Sequence, residues 1–109
     1  MLESKFKEND VVTVKLSTGE EIMGYYKESS LTSIVLRKPL VPVPTREGSI
    51  GLAPYIMSVE YLNEGDGNIS FAMHSVVTVI KTGKKFADYY VKQISGVDLS
   101  QQSTSKLIT

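Results

Sequence analysis

At 109 residues, with 41% hydrophobic and 22% charged side chains, the chain has the size and composition of one soluble globular domain, so neither a second folded unit nor wholesale disorder is expected. Twelve basic residues against twelve acidic ones exclude a global positive field, so any nucleic-acid binding must come from local placement of charge. The absence of cysteine excludes disulfides and thiolate metal sites; it suits a reducing compartment, and the cytoplasm is the expected location.

The first residues, Met1 to Glu8, mix both charge signs and lack the apolar run of a signal peptide. No stretch approaches the roughly 18 apolar residues of a membrane span, so neither export nor a membrane partner is expected. Val12, Val14 and Leu16 then alternate with Thr13 and Lys15, the pattern of a half-buried strand. Ser17-Thr18-Gly19-Glu20 supplies a tight turn, and alternation resumes from Glu21 to Glu28 through Ile22, Gly24 and Tyr26. The two segments are expected to form a hairpin. Gly24 suits a strand that must bend sharply.

Leu31 to Arg37 is rich in β-branched residues and reads as a third strand. Lys38 to Gly51 holds Pro39, Pro42 and Pro44; because proline cannot donate to a ladder, a protruding edge or loop is expected there. Leu52 to Leu62 reads as a fourth strand with Ala53, Tyr55, Met57, Val59 and Tyr61 on one face, and Asp66-Gly67 signals a turn. Ile69–Met73 and Val76–Ile80 supply two further strand pieces around the polar His74-Ser75 step. Phe86, Tyr89, Tyr90, Gln93 and Ile94 fall at helical spacing, which predicts a short helix over about 85–95 with Gly96 as its cap. One domain over 1–97 and a flexible polar tail over 98–109 complete the layout.

His74 is the chain's one histidine, and no nucleophile with its base, carboxylate pair or metal-ligand spacing can be assembled around it. Glu20-Glu21 is expected to be a solvated surface pair. No catalytic residue, cofactor or metal site is therefore expected. Arg37-Lys38 and the group Lys81, Lys84 and Lys85 offer two local concentrations of positive charge, either for phosphate contact or to guard exposed sheet edges. Tyr25-Tyr26 and Tyr89-Tyr90 offer surfaces for base stacking, although one tyrosine of each pair is expected to face the core.

The run Val12-x-Val14-x-Leu16-x-x-Gly19, then Gly24, then Ser33-Ile34-Val35-Leu36, resembles the first motif of Sm and Sm-like proteins. Met73-His74-Ser75-Val76-Val77-Thr78-Val79 is similar to the second, and to the histidine-centred stretch of the Hfq-type RNA chaperones. In overall layout the chain resembles the divergent Sm-like proteins of marine phages, cyanophages included, which would place it in a host cytoplasm. The resemblance implies an all-β fold: a small, strongly bent five-stranded SH3-like or Sm-like barrel, here followed by the C-terminal helix. It also implies a cyclic homo-oligomer, of roughly five to seven copies as rings of one chain close, with single-stranded RNA, or DNA, held at the pore. The implied contacts are Thr32, Ser33, Met73, His74 and Ser75, supported by Arg37, Lys38, Lys84 and Lys85. The chain departs from the family where a base-reading asparagine is replaced by Ser33 and Arg-Gly by His74-Ser75, so the relatives' uridine preference does not carry over. The alternative is an SH3-like scaffold or assembly protein, also of phage type, that binds protein and not nucleic acid.

Overall fold

In the computed structural model, which describes residues 6–56 and 67–95, alternation has its expected effect: Val12, Val14 and Leu16 are buried, while Thr13 and Lys15 face the other way. The strands are β1 (Val11–Leu16), β2 (Glu21–Ser29), β3 (Ser33–Pro44), β4 (Ile50–Pro54), β5 (Asn68–Ala72) and β6 (Val76–Lys81), with a 3-10 turn, Met73–Ser75, between the last two. Helix α1 occupies residues 84–95. All pairings are antiparallel, and the order across the sheet is β4-β3-β2-β1-β6, with β5 also on β3.

β3 is the spine. Its first half pairs with β5 from Ser33↔Ala72 to Arg37↔Asn68, and its second half pairs with β4 from Leu40↔Pro54 to Pro44↔Ile50. Between the halves the chain bends at Lys38, whose φ is 53°, and at the fully buried Pro39. The Lys38 N–H donates to the Gly67 carbonyl at 2.7 Å, which ties the bend to the segment entering β5. Gly24 lies opposite this bend, at a break in the β2–β3 register. A Cβ on Gly24 would meet Leu36 Cβ at 3.0 Å and Pro39 Cα at 3.3 Å, so close approach of the two strands is what this position requires.

The structure corrects several expectations. There are six strands among the described residues, as many as the segments read along the chain and one more than the five of the implied barrel; of the edge or loop expected for the proline-bearing segment, the structure shows an edge, a β3–β4 arm. Pro42 and Pro44 are tolerated because the ladder between β2 and β3 ends at Met23↔Leu40, leaving that half of β3 with β4 alone. The expected fourth strand, Leu52 to Leu62, begins earlier and stops at Pro54; Met57, Val59 and Tyr61 lie outside the described residues, as does the tail over 98–109. Met73 belongs to the 3-10 turn and not to β5.

Two apolar clusters hold the fold together. Val12, Val14, Leu16, Ile22, Tyr26, Ile34, Leu36 and Phe71 fill one face of the sheet. Met23 and Leu40, on the other face, pack against Tyr90 and Ile94 of α1. Each fully buried aliphatic or aromatic side chain contributes about 1.5–3 kcal/mol. The helix docks through Tyr90 and Ile94, so Phe86, expected on its apolar face, stays 42% exposed.

Candidate nucleic-acid interface

The polar residues singled out in the sequence converge at one end of the sheet. Ser33 is the register partner of Ala72, and the Met73 N–H donates to the Thr32 carbonyl at 2.8 Å. On the other side, the Ser17 N–H donates to the Ser75 carbonyl at 2.8 Å. The 3-10 turn is thereby fastened to both neighbouring turns, and His74 at its centre is exposed. Thr32 is exposed as well; Ser33, Met73 and Ser75 are half-buried.

Ser30 rigidifies the turn that presents Thr32. Its hydroxyl accepts from the backbone N–H groups of Thr32 at 3.2 Å and Ser33 at 3.3 Å, and its own N–H donates to the Ser33 carbonyl at 2.8 Å. Short hydroxyl side chains stabilise turns by such local bonds. At the tip stands Leu31, 89% exposed; the expected strand from Leu31 begins at Ser33 instead.

The cationic residues fall elsewhere. Arg37 pairs in register with Tyr25, Tyr25 with Val11, and the Thr82 N–H donates to the Val11 carbonyl, so Arg37 and the start of α1 share one row across the sheet. That row lies about 13 Å along β3 from Ser33, at 3.3 Å per residue. Arg37 is engaged there: its guanidinium sits 4.5 Å over the Tyr25 ring and donates to Asn9 Oδ1 at 3.2 Å. Lys38 occupies the bend of β3. Lys84 donates to Asp88 Oδ2 at 2.8 Å, and this hydrogen bond and charge hold its ammonium above the usual lysine range. Lys85 is exposed beside it. Thr32, Ser33, Met73, His74 and Ser75 are thus brought together, and Arg37, Lys38, Lys84 and Lys85 are not brought to them.

The tyrosine pairs divide as expected. Tyr26 and Tyr90 are buried, with the Tyr26 hydroxyl 2.7 Å from Ser29 Oγ. Tyr25 is half-buried between Arg37 and the edge of Tyr90, whose ring centroid is 5.1 Å away. Sequence spacing gave no signal for this three-residue stack, which joins residues remote along the chain.

Among the described residues no group of three or more His, Asp or Glu side chains is placed to hold a metal. No described helix is long and apolar enough to cross a membrane. A scan of protein-family models finds no match to the chain, and a search of curated proteins finds none.

Proposed function

We propose that the chain is a non-enzymatic Sm-like assembly protein that closes into a small barrel, forms a homo-oligomeric ring, and binds single-stranded RNA, or DNA, at the end carrying Thr32, Ser33 and His74. The observation that carries this reading is the bond from Met73 to Thr32, which sets the exposed histidine beside the β2–β3 turn. Barrel closure is supported by connectivity: β5 pairs with β3, β6 pairs with β1, and only the three residues Met73–Ser75 separate them. β5 and β6 each have one pairing partner among the described residues. Their second edges are the natural surface for strand pairing between copies.

In this reading a base stacks on His74 and is hydrogen-bonded by the hydroxyls of Thr32 and Ser33. Fluorescence anisotropy with uridine-rich and adenine-rich oligonucleotides at low salt tests it. Saturable binding that weakens as salt rises is expected, and no binding to either would overturn it.

A protein-binding scaffold is favoured by a different observation. From Glu47 to Ile80 the chain holds no lysine or arginine, although Glu47, Glu60, Glu64 and Asp66 lie there. The β5 strand and the 3-10 turn fall in this stretch, so these two elements bring no lysine or arginine of their own to the His74 end. A ratio of absorbance at 260 to 280 nm that drops on nuclease treatment of the purified protein supports the ring that binds nucleic acid; a plain protein spectrum supports the scaffold.

A further inference from the structure

A cleft of about 630 Å³ opens where the β1–β2 turn, the β3–β4 arm and the start of α1 meet. This is within the roughly 300–1,000 Å³ range of ligand-binding clefts. Met23, Val41, Ile50 and Phe86 give it an apolar lining. Ile50 and Phe86 remain 50% and 42% exposed, so they keep apolar surface in water that a bound segment would cover.

Its polar groups are all neutral or acidic. Glu20 and Glu21 line it, and no lysine, arginine or histidine does so among the described residues. Glu20 accepts from the Thr18 hydroxyl at 3.1 Å. Glu21 lies 3.6 Å from Lys15, and both side chains are about half exposed, so that pair is weak and readily exchanged. The arm carries Arg46 in its turn, but that residue does not line the cleft, and from Glu47 to Ile80 the chain holds no lysine or arginine. Thr13 and Thr82, whose hydroxyl oxygens are 2.7 Å apart, also line the cleft. One hydroxyl donates to the other, which leaves the second proton for an outside acceptor.

We propose that this cleft docks a segment of a partner protein in which a lysine or arginine adjoins aliphatic side chains. The aliphatic groups cover Ile50 and Phe86, the cation meets Glu20 and Glu21, and a backbone carbonyl of the segment accepts from the threonine pair. The proposal does not depend on nucleic-acid binding, because neither His74 nor any other residue of the 3-10 turn lines the cleft, although the β1–β2 turn adjoins both.

The test uses the full chain and a fluorescein-labelled probe peptide, Gly-Ser-Lys-Leu-Ile-Lys-Ser-Gly, followed by anisotropy at low salt. Saturable binding is expected, weakened about fivefold by Glu20→Gln with Glu21→Gln and about fivefold by Ile50→Ser. All three substitutions fall on exposed side chains, and circular dichroism verifies folding. Probes with serine in place of leucine and isoleucine, or glutamate in place of lysine, are expected to bind at least about tenfold more weakly. No saturation by about 1 mM probe, or equal affinity of the variants and the native chain, overturns the proposal. So does a His74→Ala loss above about twofold, which would move the peptide onto the 3-10 turn. Removal of residues 96–109, which include Lys106, Leu107 and Ile108, is expected to leave affinity unchanged; a marked rise would make the chain's own segment the occupant and overturn the assignment to a partner.

Discussion

The Tyr90 hydroxyl donates to the Lys38 carbonyl at 2.6 Å, with the Arg37 carbonyl sharing the proton at 3.1 Å, so the helix grips the bend of β3 by its backbone. The ring above that hydroxyl is fully buried between Met23, Leu40 and Tyr25. Tyr90→Phe keeps the ring and removes the donor, and is expected to cost about 1–3 kcal/mol. Tyr90→Ala also opens a cavity and is expected to cost about 3–5 kcal/mol. Urea denaturation measures both, as a lower midpoint at unchanged slope for Tyr90→Phe.

Gly24 and Gly48 fail for different reasons when given a side chain. Gly24→Ala drives a methyl group to 3.0 Å from Leu36 Cβ, an overpacking expected to cost about 1–3 kcal/mol. Gly48 has open space around it but a φ of 84°, so Gly48→Ala is expected to cost about 1 kcal/mol through backbone strain alone. Thermal melts of the two variants are expected to rank Gly24→Ala as the less stable.

If single-stranded RNA binds at the 3-10 turn, His74→Ala is expected to remove one stacking surface, worth about 1–3 kcal/mol, while Lys84→Ala with Lys85→Ala changes affinity less than about twofold. Anisotropy titrations at two salt concentrations measure both. Lysine variants weaker than His74→Ala would shift the interface to the row that holds Arg37 and the start of α1.

Asp88 holds the Lys84 ammonium above its ordinary pKa by hydrogen bond and charge. A raised lysine pKa contributes stability that is fully present below the ordinary value and is lost as pH rises through the folded value. The pair therefore supports the helix at neutral pH and stops doing so in strong alkali. Asp88→Asn is expected to return the lysine titration downward, read by NMR of the Lys84 ε-methylene. Full exposure of the lysine makes any stability change small and sensitive to salt.

Val77 and Ile80 of the edge strand β6 are 64% and 59% exposed. If β6 pairs between copies, Val77→Lys with Ile80→Lys is expected to lower the oligomeric state, measured by size-exclusion chromatography with light scattering. A native chain that runs as a monomer would remove the ring.

Much of the sheet was legible because β1 and β2 are half-buried, and alternation reports that condition directly. The 3-10 turn was marked by the polar His74-Ser75 step, and the helix by the spacing of Tyr90 and Ile94. The length of β3 was not legible, since Pro42 and Pro44 argue against a strand until it is known that β2 leaves that half of β3 before Pro42. The separation of His74 from Lys84 and Lys85 was also hidden. They are ten and eleven residues apart in sequence, yet β6 runs the length of the sheet between them. Residue spacing measures chain and not direction.

The β3–β4 arm ends in a self-sufficient turn: the Thr45 N–H donates to the Ser49 carbonyl at 2.9 Å, the Gly48 N–H to the Thr45 carbonyl at 3.1 Å, and the two side-chain hydroxyls lie 2.8 Å apart. None of these bonds reaches the main clusters. That tip is accordingly a graft point, where a fluorophore, an affinity tag or a short inserted sequence can be carried without disturbing either the His74 end or the seat of the helix.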